Sequence, residues 1–197
     1  MKGISRFFPF PSSFVICRLT FSPLSAIIIE IKNAIHRNDT KMDIRKITPL
    51  ELPLLTQLFN YNDPAEMIEQ NERDMKGGTI DIFEMFDNDR PIGELHAAYE
   101  SDDERTVKEK RAYLFAYRIH EDYQGHGYGK QLLQNVIDTL YKKGYTEFTI
   151  GVEDDNARAK HIYDSFGFIE LFAPKHEEYQ GDGYEYGLYL RRSLCQN

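Results

Sequence analysis

The sequence predicts a single α/β domain with a mixed central β-sheet flanked by about four helices. Its 197 residues are enough for one domain with a core, and few for two. Hydrophobic residues make up 41% of the chain and charged residues 28%, as in an ordinary globular protein. From residue 42 onward strand-like and helix-like patterns alternate, in the order strand, two helices, three strands, helix, strand, helix and two strands.

Local sequence patterns predict each helix and strand between residues 43 and 99. Residues 43–47 alternate polar and apolar side chains, which predicts a short strand. Residues 48–59 begin with a Thr-Pro-Leu-Glu capping box and predict a helix. Residues 64–76 predict a second helix, which two glycines close. Residues 79–86 and 92–99 predict the two strands of a hairpin, because a turn-forming Asp-Asn-Asp-Arg-Pro sequence separates them.

The same alternation continues after the hairpin. The charged segment 101–110 is expected to be a solvated loop, and the aromatic and apolar residues 112–119 predict a central strand. Apolar residues between 132 and 140 recur at helical spacing and end before a Lys-Lys-Gly sequence, which predicts a helix. A further strand is predicted at 145–152. A helix is predicted at 157–166, with an Asp-Asp-Asn sequence to cap it and a glycine to end it.

The C-terminal residues predict two closing strands, 168–172 and 184–190, around a Gln-Gly-Asp-Gly turn. Residues 174–183 between these strands are expected to form a loop. The sequence contains neither an internal repeat nor a low-complexity tract, so the elements are expected to form one sheet domain.

Residues 1–41, here called the leader, differ in composition from residues 42–197. The leader carries six Lys or Arg against two Asp or Glu, a balance of +4, whereas the rest carries 18 against 30, a balance of −12. Prolines and an arginine interrupt its apolar residues, so no stretch reaches the ~20 residues of a membrane span. Three interpretations stay open: Met42 is the natural start, the leader is a weak targeting segment, or the leader packs on the domain. We expect the domain to comprise residues 42–197 and to fold without the leader.

The acidic balance and the cysteine positions limit the expected partners and compartment. An acidic domain repels phosphate backbones, so nucleic acid is not an expected partner, nor is a membrane, whereas a cationic substrate is favoured. Cys17 and Cys195 form neither a CxxC motif nor a catalytic signature, which predicts free thiols in a cytoplasmic protein. The six histidines show no metal-ligand spacing, so no metal is predicted. A homodimer is compatible with the sequence.

The stretch Tyr-Gln-Gly-His-Gly-Tyr-Gly-Lys at 123–130 carries the main functional signal. Three glycines lie between a predicted strand and a predicted helix, an arrangement that presents bare amides and the helix dipole to an anion. The spacing fits neither a Walker loop nor the dinucleotide fingerprint G-x-G-x-x-G. It fits Q/R-x-x-G-x-G/A, with Gln124, Gly127 and Gly129 in the fixed positions.

This pattern resembles the acetyl coenzyme A loop of the GNAT superfamily of N-acetyltransferases. A second motif follows at residues 156–163, Asn-Ala-Arg-Ala-Lys-His-Ile-Tyr, and leads into Phe-Gly-Phe at 166–168. It is similar to the second signature of the superfamily, N-x6-Y before a Gly-Phe. The resemblance covers about residues 42–191, and two motifs at the expected separation make it specific.

The resemblance implies a site for acetyl coenzyme A. Amides of the glycine loop would bind its diphosphate, main-chain groups at the end of the preceding strand would pair with its pantetheine arm, and an asparagine would contact it from the next strand. Tyr163 would protonate the departing thiolate as general acid. The implied cofactor-binding residues are Arg118, Ile119, His120, Gln124, Gly125, His126, Gly127, Tyr128, Gly129, Lys130 and Asn156.

The general base is left open by the sequence. Several members of the superfamily place a glutamate in the strand before the asparagine, where this chain has Gly151. We place Glu94 in the predicted catalytic site. The full set of candidate bases is Glu94, His96, His120, Glu121 and Glu153.

The function that the resemblance implies is transfer of the acetyl group of acetyl coenzyme A to a primary amine, by direct attack in a ternary complex. A module that binds acyl coenzyme A without turnover is the alternative, and the loop spacing disfavours a nucleotide-binding protein. The acidic domain favours a small-molecule amine or a basic peptide as acceptor. Carboxylates of the 174–183 loop, namely Glu177, Glu178 and Asp182, are the candidates for cation recognition.

Overall fold

A computed structural model describes residues 42–179 and 182–192 of the chain. Within these residues the strands are β1 (Met42–Lys46), β2 (Ile80–Asp87), β3 (Arg90–Ala98), β4 (Arg111–Ile119), β5 (Glu147–Glu153), β6 (Glu170–Tyr179) and β7 (Asp182–Arg192). The α-helices are α1 (Leu55–Leu58), α2 (Pro64–Gly77), α3 (Tyr128–Lys142) and α4 (Ala157–Ser165), with 3₁₀ turns at Pro49–Leu54 and Glu121–Tyr123. The predicted fold class and order of elements are confirmed. Both cysteines and the leader lie outside the described residues.

The described strands form one mixed sheet in the order β1-β2-β3-β4-β5-β7-β6. Every neighbouring pair is antiparallel except β4 and β5, which are parallel. Pairing of β4 with β5 runs from Arg111 opposite Glu147 to Leu114 opposite Ile150. Because β4 continues to residue 119 and β5 to residue 153, the two strands separate over their C-terminal halves.

A bulge bends β4 where this separation begins. The register with β3 changes between the pairs Glu94–Arg118 and His96–Phe115, and Ala116 has a φ of 51°. A positive φ is uncommon for a residue with a Cβ, and a bulge of this kind turns the strand and increases its twist. The bulge therefore directs the end of β4 away from β5.

Helices cover both faces of the sheet. On the first face, the apolar stripe of α3 packs on β3, β4 and β5, and Tyr163 of α4 joins the same core. The stripe residues are all buried, as the sequence pattern predicts: Leu132, Leu133, Val136, Ile137 and Leu140. On the second face, a separate core forms around Leu52 and Leu55, Met67 of α2, and residues of β2, β4 and β7.

One predicted loop is wrong, and a second is less exposed than predicted. Residues 174–179 and 182–183 belong to strands β6 and β7, which pair as a long hairpin up to Tyr179 opposite Asp182. Pro174 is compatible with β6 because this strand is at the edge of the sheet, where a missing N–H is tolerated. The segment 101–110 is not simply solvated, since the side chains of Arg105 and Thr106 are buried.

Among the described helices, none combines the length and the apolar character that a membrane crossing requires.

Candidate active site

The glycine loop leads directly into helix α3. Gly127 is the residue that caps the helix, with a φ of 85°, and Gly125 has a φ of 82°. Both values lie in the left-handed region, which glycine adopts without a steric penalty. The first amides of α3 have no acceptor within the helix, and the helix dipole adds a partial positive charge at this end. The loop therefore has the geometry of an anion-binding site.

Gly129 lets α3 approach β4 closely. A Cβ at this position would lie 2.6 Å from the Tyr117 hydroxyl oxygen of β4, which is too close for a real contact. The Tyr117 hydroxyl is buried and has no hydrogen-bond partner among the described residues. The predicted glycine thus has a packing reason, and a buried polar group lies beside the start of the helix.

Gln124 fastens the loop to its neighbours. Its Nε2 donates to the main-chain oxygen of Ile119 at 2.9 Å, and its Oε1 accepts from Nη1 of Arg158 in α4, also at 2.9 Å. The fixed glutamine of the motif therefore has a structural role in this chain. The His120 amide donates to Ile92 of β3 at 2.8 Å, so it is directed away from β5.

The remaining predicted loop residues are close to solvent. Lys130 is exposed on the first turn of α3, and the exposed ring of His126 stacks on Tyr128 with 5.9 Å between ring centroids. Asn156 caps α4, because its Oδ1 accepts from the amide of Ala159 at 3.0 Å. The cap that the sequence predicts is confirmed, and contact between Asn156 and the cofactor stays a prediction.

Tyr163 lies in the core beside the separated strands. Its ring centroid is 6.2 Å from that of Tyr117 and 6.1 Å from that of Phe168, and 6% of the residue is exposed. Burial raises the pKa of Tyr163 above its usual value, and the neighbouring Tyr117 and Tyr113 raise it further. The phenol therefore keeps its proton at neutral pH, as a general acid requires.

Glu94 is buried on the second face of the sheet. Its carboxylate accepts from Nε of Arg118 and from the Tyr61 hydroxyl at 3.2 Å, with Nε2 of His96 at 3.4 Å. Burial alone would raise the pKa of Glu94, but the charge of Arg118 and contact with His96 outweigh it, so the pKa is lowered. Glu94 is therefore an ionised carboxylate in a buried ion pair.

Arg118 connects this ion pair to the loop between α1 and α2. Its guanidinium lies 3.9 Å from the ring centroid of Phe59 and 4.9 Å from that of Tyr61. Its Nη2 also donates to the Tyr61 hydroxyl at 2.5 Å. Arg118, which the sequence motifs assign only to main-chain contacts, thus helps Glu94 to hold the loop against the sheet.

The structure brings together most of the predicted residues on the first face and separates Glu94 from them. The glycine loop, Tyr163 and the end of β4 border the first face, whereas the side chains of Glu94 and Arg118 lie on the second. Sequence reasoning missed Tyr117 and Arg158. Arg158 lies inside the second motif, so its proximity to the loop could have been predicted, but nothing in the sequence indicates the bulge that positions Tyr117.

The fold and the anion-binding loop together fit the class of α/β acyl-group transferases that the motifs indicate. A model of the acetyltransferase (GNAT) family matches residues 45–168, which is more than half of the chain. The chain belongs to this family.

Two relatives share part of the sequence. The ribosomal protein bS18-alanine N-acetyltransferase of Escherichia coli K12 is 41% identical over 59 residues, 30% of this chain and 40% of the relative. N-alpha-acetyltransferase 30 of Saccharomyces cerevisiae is 28% identical over 123 residues, 62% of this chain and 64% of the relative. The chain therefore spans less than two thirds of the length of each of these curated relatives.

Solved structures share the fold at low sequence identity. The yncA structure of Salmonella typhimurium, which contains its cofactor acetyl-CoA, has a TM-score of 0.61 at 17% identity and covers 79% of this chain and 95% of that one. The ribosomal-protein-S18-alanine N-acetyltransferase of Escherichia coli has a TM-score of 0.61 at 21% identity. The match covers 79% of this chain and 96% of that one.

Proposed function

We propose that the protein is an N-acetyltransferase, which moves the acetyl group of acetyl coenzyme A to a primary amine by direct attack in a ternary complex. The observation that carries the proposal is the separation of β4 and β5 beyond Leu114 and Ile150, next to the glycine loop at the start of α3. An anion site beside an opened pair of strands suits a long ligand with a diphosphate at one end. The names of both relatives, each an acetyltransferase, support the same activity.

The residues present fit acetyl coenzyme A. Amides of residues 125–130 would hold the diphosphate, and Gly127 carries no side chain at the start of α3, where a Cβ would lie in open space. The buried Tyr117 hydroxyl is a further group that could donate to the cofactor. When bound, acetyl coenzyme A supplies a thioester as acetyl donor. The proposed cofactor-binding residues are those that the resemblance implies, namely residues 118–120, residues 124–130 and Asn156.

Tyr163 is proposed as the general acid. Its protonated phenol lies near the point where the strands separate, and a thiolate leaving group benefits from a positioned proton donor. Glu94 stays a candidate base. Its lowered pKa keeps the carboxylate ionised, as a base must be, although the ion pair with Arg118 weakens its affinity for a proton.

The acceptor is proposed to be a small-molecule amine or a basic peptide. The acidic balance of residues 42–197 favours a cation. One relative is named for the alanine of a ribosomal protein. Another, L-amino acid N-acyltransferase MnaT of Escherichia coli, is 35% identical over 51 residues and is named for L-amino acids. Both a peptide amine and a small amine therefore belong in a substrate screen.

We further propose that residues 42–197 form the functional unit and act in the cytoplasm. A chain that begins at Met42 should bind acetyl coenzyme A with the affinity of the full chain and melt within a few degrees of it, because β1 already begins at Met42. Calorimetry and thermal denaturation of both chains test this. A large drop in Tm for the shorter chain would show that the leader packs on the domain.

The activity is tested with the full chain and a panel of amines. The panel contains spermidine, kanamycin, free amino acids, and short peptides with a free N-terminal alanine, serine or methionine, some of them rich in lysine. Thiol release measures turnover, and mass spectrometry identifies the acetylated product. We expect acetylation of at least one amine. Tight binding of acetyl coenzyme A without any transfer would favour the non-catalytic module, and preferential binding of ATP would contradict both.

A further inference from the structure

A side-chain hydrogen bond joins helix α4 to the glycine loop. Nη1 of Arg158, in the first turn of α4, donates to Oε1 of Gln124 at 2.9 Å. Gln124 immediately precedes Gly125 of the loop, and its own Nε2 is bound to the main chain at Ile119, where β4 ends. Within residues 42–179 and 182–192, the other side-chain hydrogen bonds of α4 stay inside the helix or reach the residues just before it. The polar connection between α4 and the anion site therefore passes through Arg158.

Arg158 keeps donors for a ligand. A guanidinium has five N–H donors, and the bond to Gln124 uses one of them. The residue is exposed, so a ligand at the loop can reach it. Burial raises the pKa of Tyr117, and the charge of Arg158 opposes this rise. The guanidinium is thus within electrostatic reach of the Tyr117 hydroxyl, which lies against Gly129 in the first turn of α3.

The charge around these donors favours an anionic partner. The free amides at the start of α3 and the guanidinium of Arg158 are both electropositive, so a negative group between them is stabilised from two sides. Hydrogen bonds from arginine to phosphate oxygens are shorter than bonds between neutral groups and about twice as strong. A diphosphate held by the amides of residues 125–130 would therefore also attract Arg158, while Gln124 orients the guanidinium.

Helix α4 connects Arg158 to the proposed general acid. Arg158 and Tyr163 are five residues apart in α4, which corresponds to about 7.5 Å along the helix axis. Of the nine residues of α4, Tyr163 is the one that is buried, and its ring packs on Tyr117 and Phe168. The helix is thus held by a polar contact at its start and by an aromatic contact near its end. Movement of Arg158 toward a ligand would therefore shift the phenol of Tyr163.

We propose that Arg158 is a positioning residue, which binds the diphosphate of acetyl coenzyme A and thereby aligns Tyr163 with the thioester. This inference rests on the proposed function. It implies that the diphosphate, which is remote from the reacting atoms, contributes to the rate of transfer as well as to affinity. Binding energy from remote parts of a substrate is used in this way when truncated substrates react slowly. Acetyl-pantetheine, which has the same thioester and lacks the diphosphate, is the truncated donor for the test.

The binding step is tested with Arg158→Met, and with Lys160→Met as control. Each variant removes one positive charge from α4, but Lys160 is paired with Asp154, with 2.7 Å between Nζ and Oδ1. In calorimetry, Arg158→Met should raise the Kd for coenzyme A about 10- to 100-fold, as loss of hydrogen bonds to a charged group predicts. Lys160→Met should change it less than twofold. Saturating coenzyme A should slow hydrogen exchange of the α4 amides in the wild type and in Lys160→Met, and not in Arg158→Met.

The alignment of Tyr163 is tested by the rate of single-turnover transfer to the best amine of the panel. Arg158→Met should lower the rate at saturating acetyl coenzyme A about tenfold or more, and should leave the rate with a fixed concentration of acetyl-pantetheine unchanged. An unchanged rate with acetyl coenzyme A, or an equal loss with both donors, would overturn the inference and leave the proposed function intact. A wild type that acetylates none of the amines with either donor would overturn both.

Gln124→Leu tests whether Gln124 orients Arg158. The variant should raise the Kd for coenzyme A by a smaller factor than Arg158→Met does. In the double variant the increase should be smaller than the product of the two single increases, because both changes remove the same contact. An increase equal to that product would show that Gln124 and Arg158 act independently, and would overturn the orienting role of Gln124.

Discussion

The two faces of the sheet present different chemical groups beside the opening between β4 and β5. On the face of α3 and α4, the groups that would bind a ligand are mostly main-chain amides of residues 125–130. On the face of α1 and α2, they are side chains in partly buried ion pairs, Glu94 with Arg118 and Glu177 with Arg105. Amides are fixed by backbone geometry, whereas ion pairs need partners from distant parts of the chain. The first face is therefore expected to serve the invariant cofactor, and the second to determine the acceptor.

Tyr163→Phe is expected to have the largest effect, because it removes the proposed proton donor and keeps the ring that packs in the core. If the hydroxyl protonates the thiolate, the rate of acetyl transfer should fall about 10²–10⁴-fold with little change in affinity for acetyl coenzyme A. Single-turnover kinetics at saturating amine measure this rate without interference from product release. Tyr117→Phe is the matched control, which should change affinity more than rate. A wild-type rate in Tyr163→Phe would leave the ring with a packing role only.

Arg118→Met tests whether the second face depends on its ion pair. The change leaves Glu94 buried without its cation, which should destabilise the fold by about 3–5 kcal/mol. Urea denaturation measures the free energy of unfolding. In the double variant with Glu94→Gln, much of that loss should be recovered, because no unpaired charge stays buried. Equal stabilities of the single and double variants would contradict an essential ion pair.

The two faces also differ in how much of their structure the sequence could predict. The glycine loop was predictable, since backbone that must turn and approach closely requires glycine at fixed spacing. If side chains alternated regularly along residues 112–119, Tyr117 would lie on the second face, together with Phe115. Arg118 would then lie on the first face. The bulge at Ala116 reverses this, so Tyr117 lies on the first face and Arg118 on the second. No residue type in that strand marks the extra residue.

The sequence does not predict the long-range ion pairs either. Arg105 is 72 residues from Glu177 in sequence, and a run of charged residues around it is typical of a solvated loop. Only the pairing of β6 with β7 brings the carboxylate to the guanidinium. The predicted loop at 174–183 failed for the same reason, since charged residues on an edge hairpin carry a weak strand pattern.

Gly127→Val, compared with Gly144→Val, tests the main-chain character of the first face. Gly127 caps the start of α3 and Gly144 follows the cap at its end, with φ values of 85° and 99°, and a Cβ would meet nothing within 4 Å at either. Both variants should therefore lose a similar amount of stability, about 1–2 kcal/mol, from the left-handed conformation. Only Gly127→Val should weaken binding of acetyl coenzyme A, about 100-fold, because it reshapes the anion site. Equal affinities of the two variants in calorimetry would contradict a diphosphate site at the start of α3.

Glu84→Gln, on the second face, is expected to have the smallest effect, a change in the pH dependence of stability. Glu84 is fully buried opposite Glu94, and both of its carboxylate oxygens are without a hydrogen-bond partner among the described residues. Burial, with the charge of Glu94, raises the pKa of Glu84 from its usual value of 4.5 to about 9.

Since the folded state binds the Glu84 proton more tightly than the unfolded state, stability should fall as pH rises from about 4.5 to about 9. Glutamine has the shape of the neutral acid and cannot ionise. Glu84→Gln should therefore match the wild type near pH 5 and exceed it at pH 9 by a few degrees in Tm, on the order of 1–2 kcal/mol, since water entry relieves part of the cost. Thermal denaturation of both proteins from pH 5 to pH 9 measures the difference. A difference that stays constant with pH would show that Glu84 is ionised in the folded protein, and that the second face tolerates two adjacent buried carboxylates.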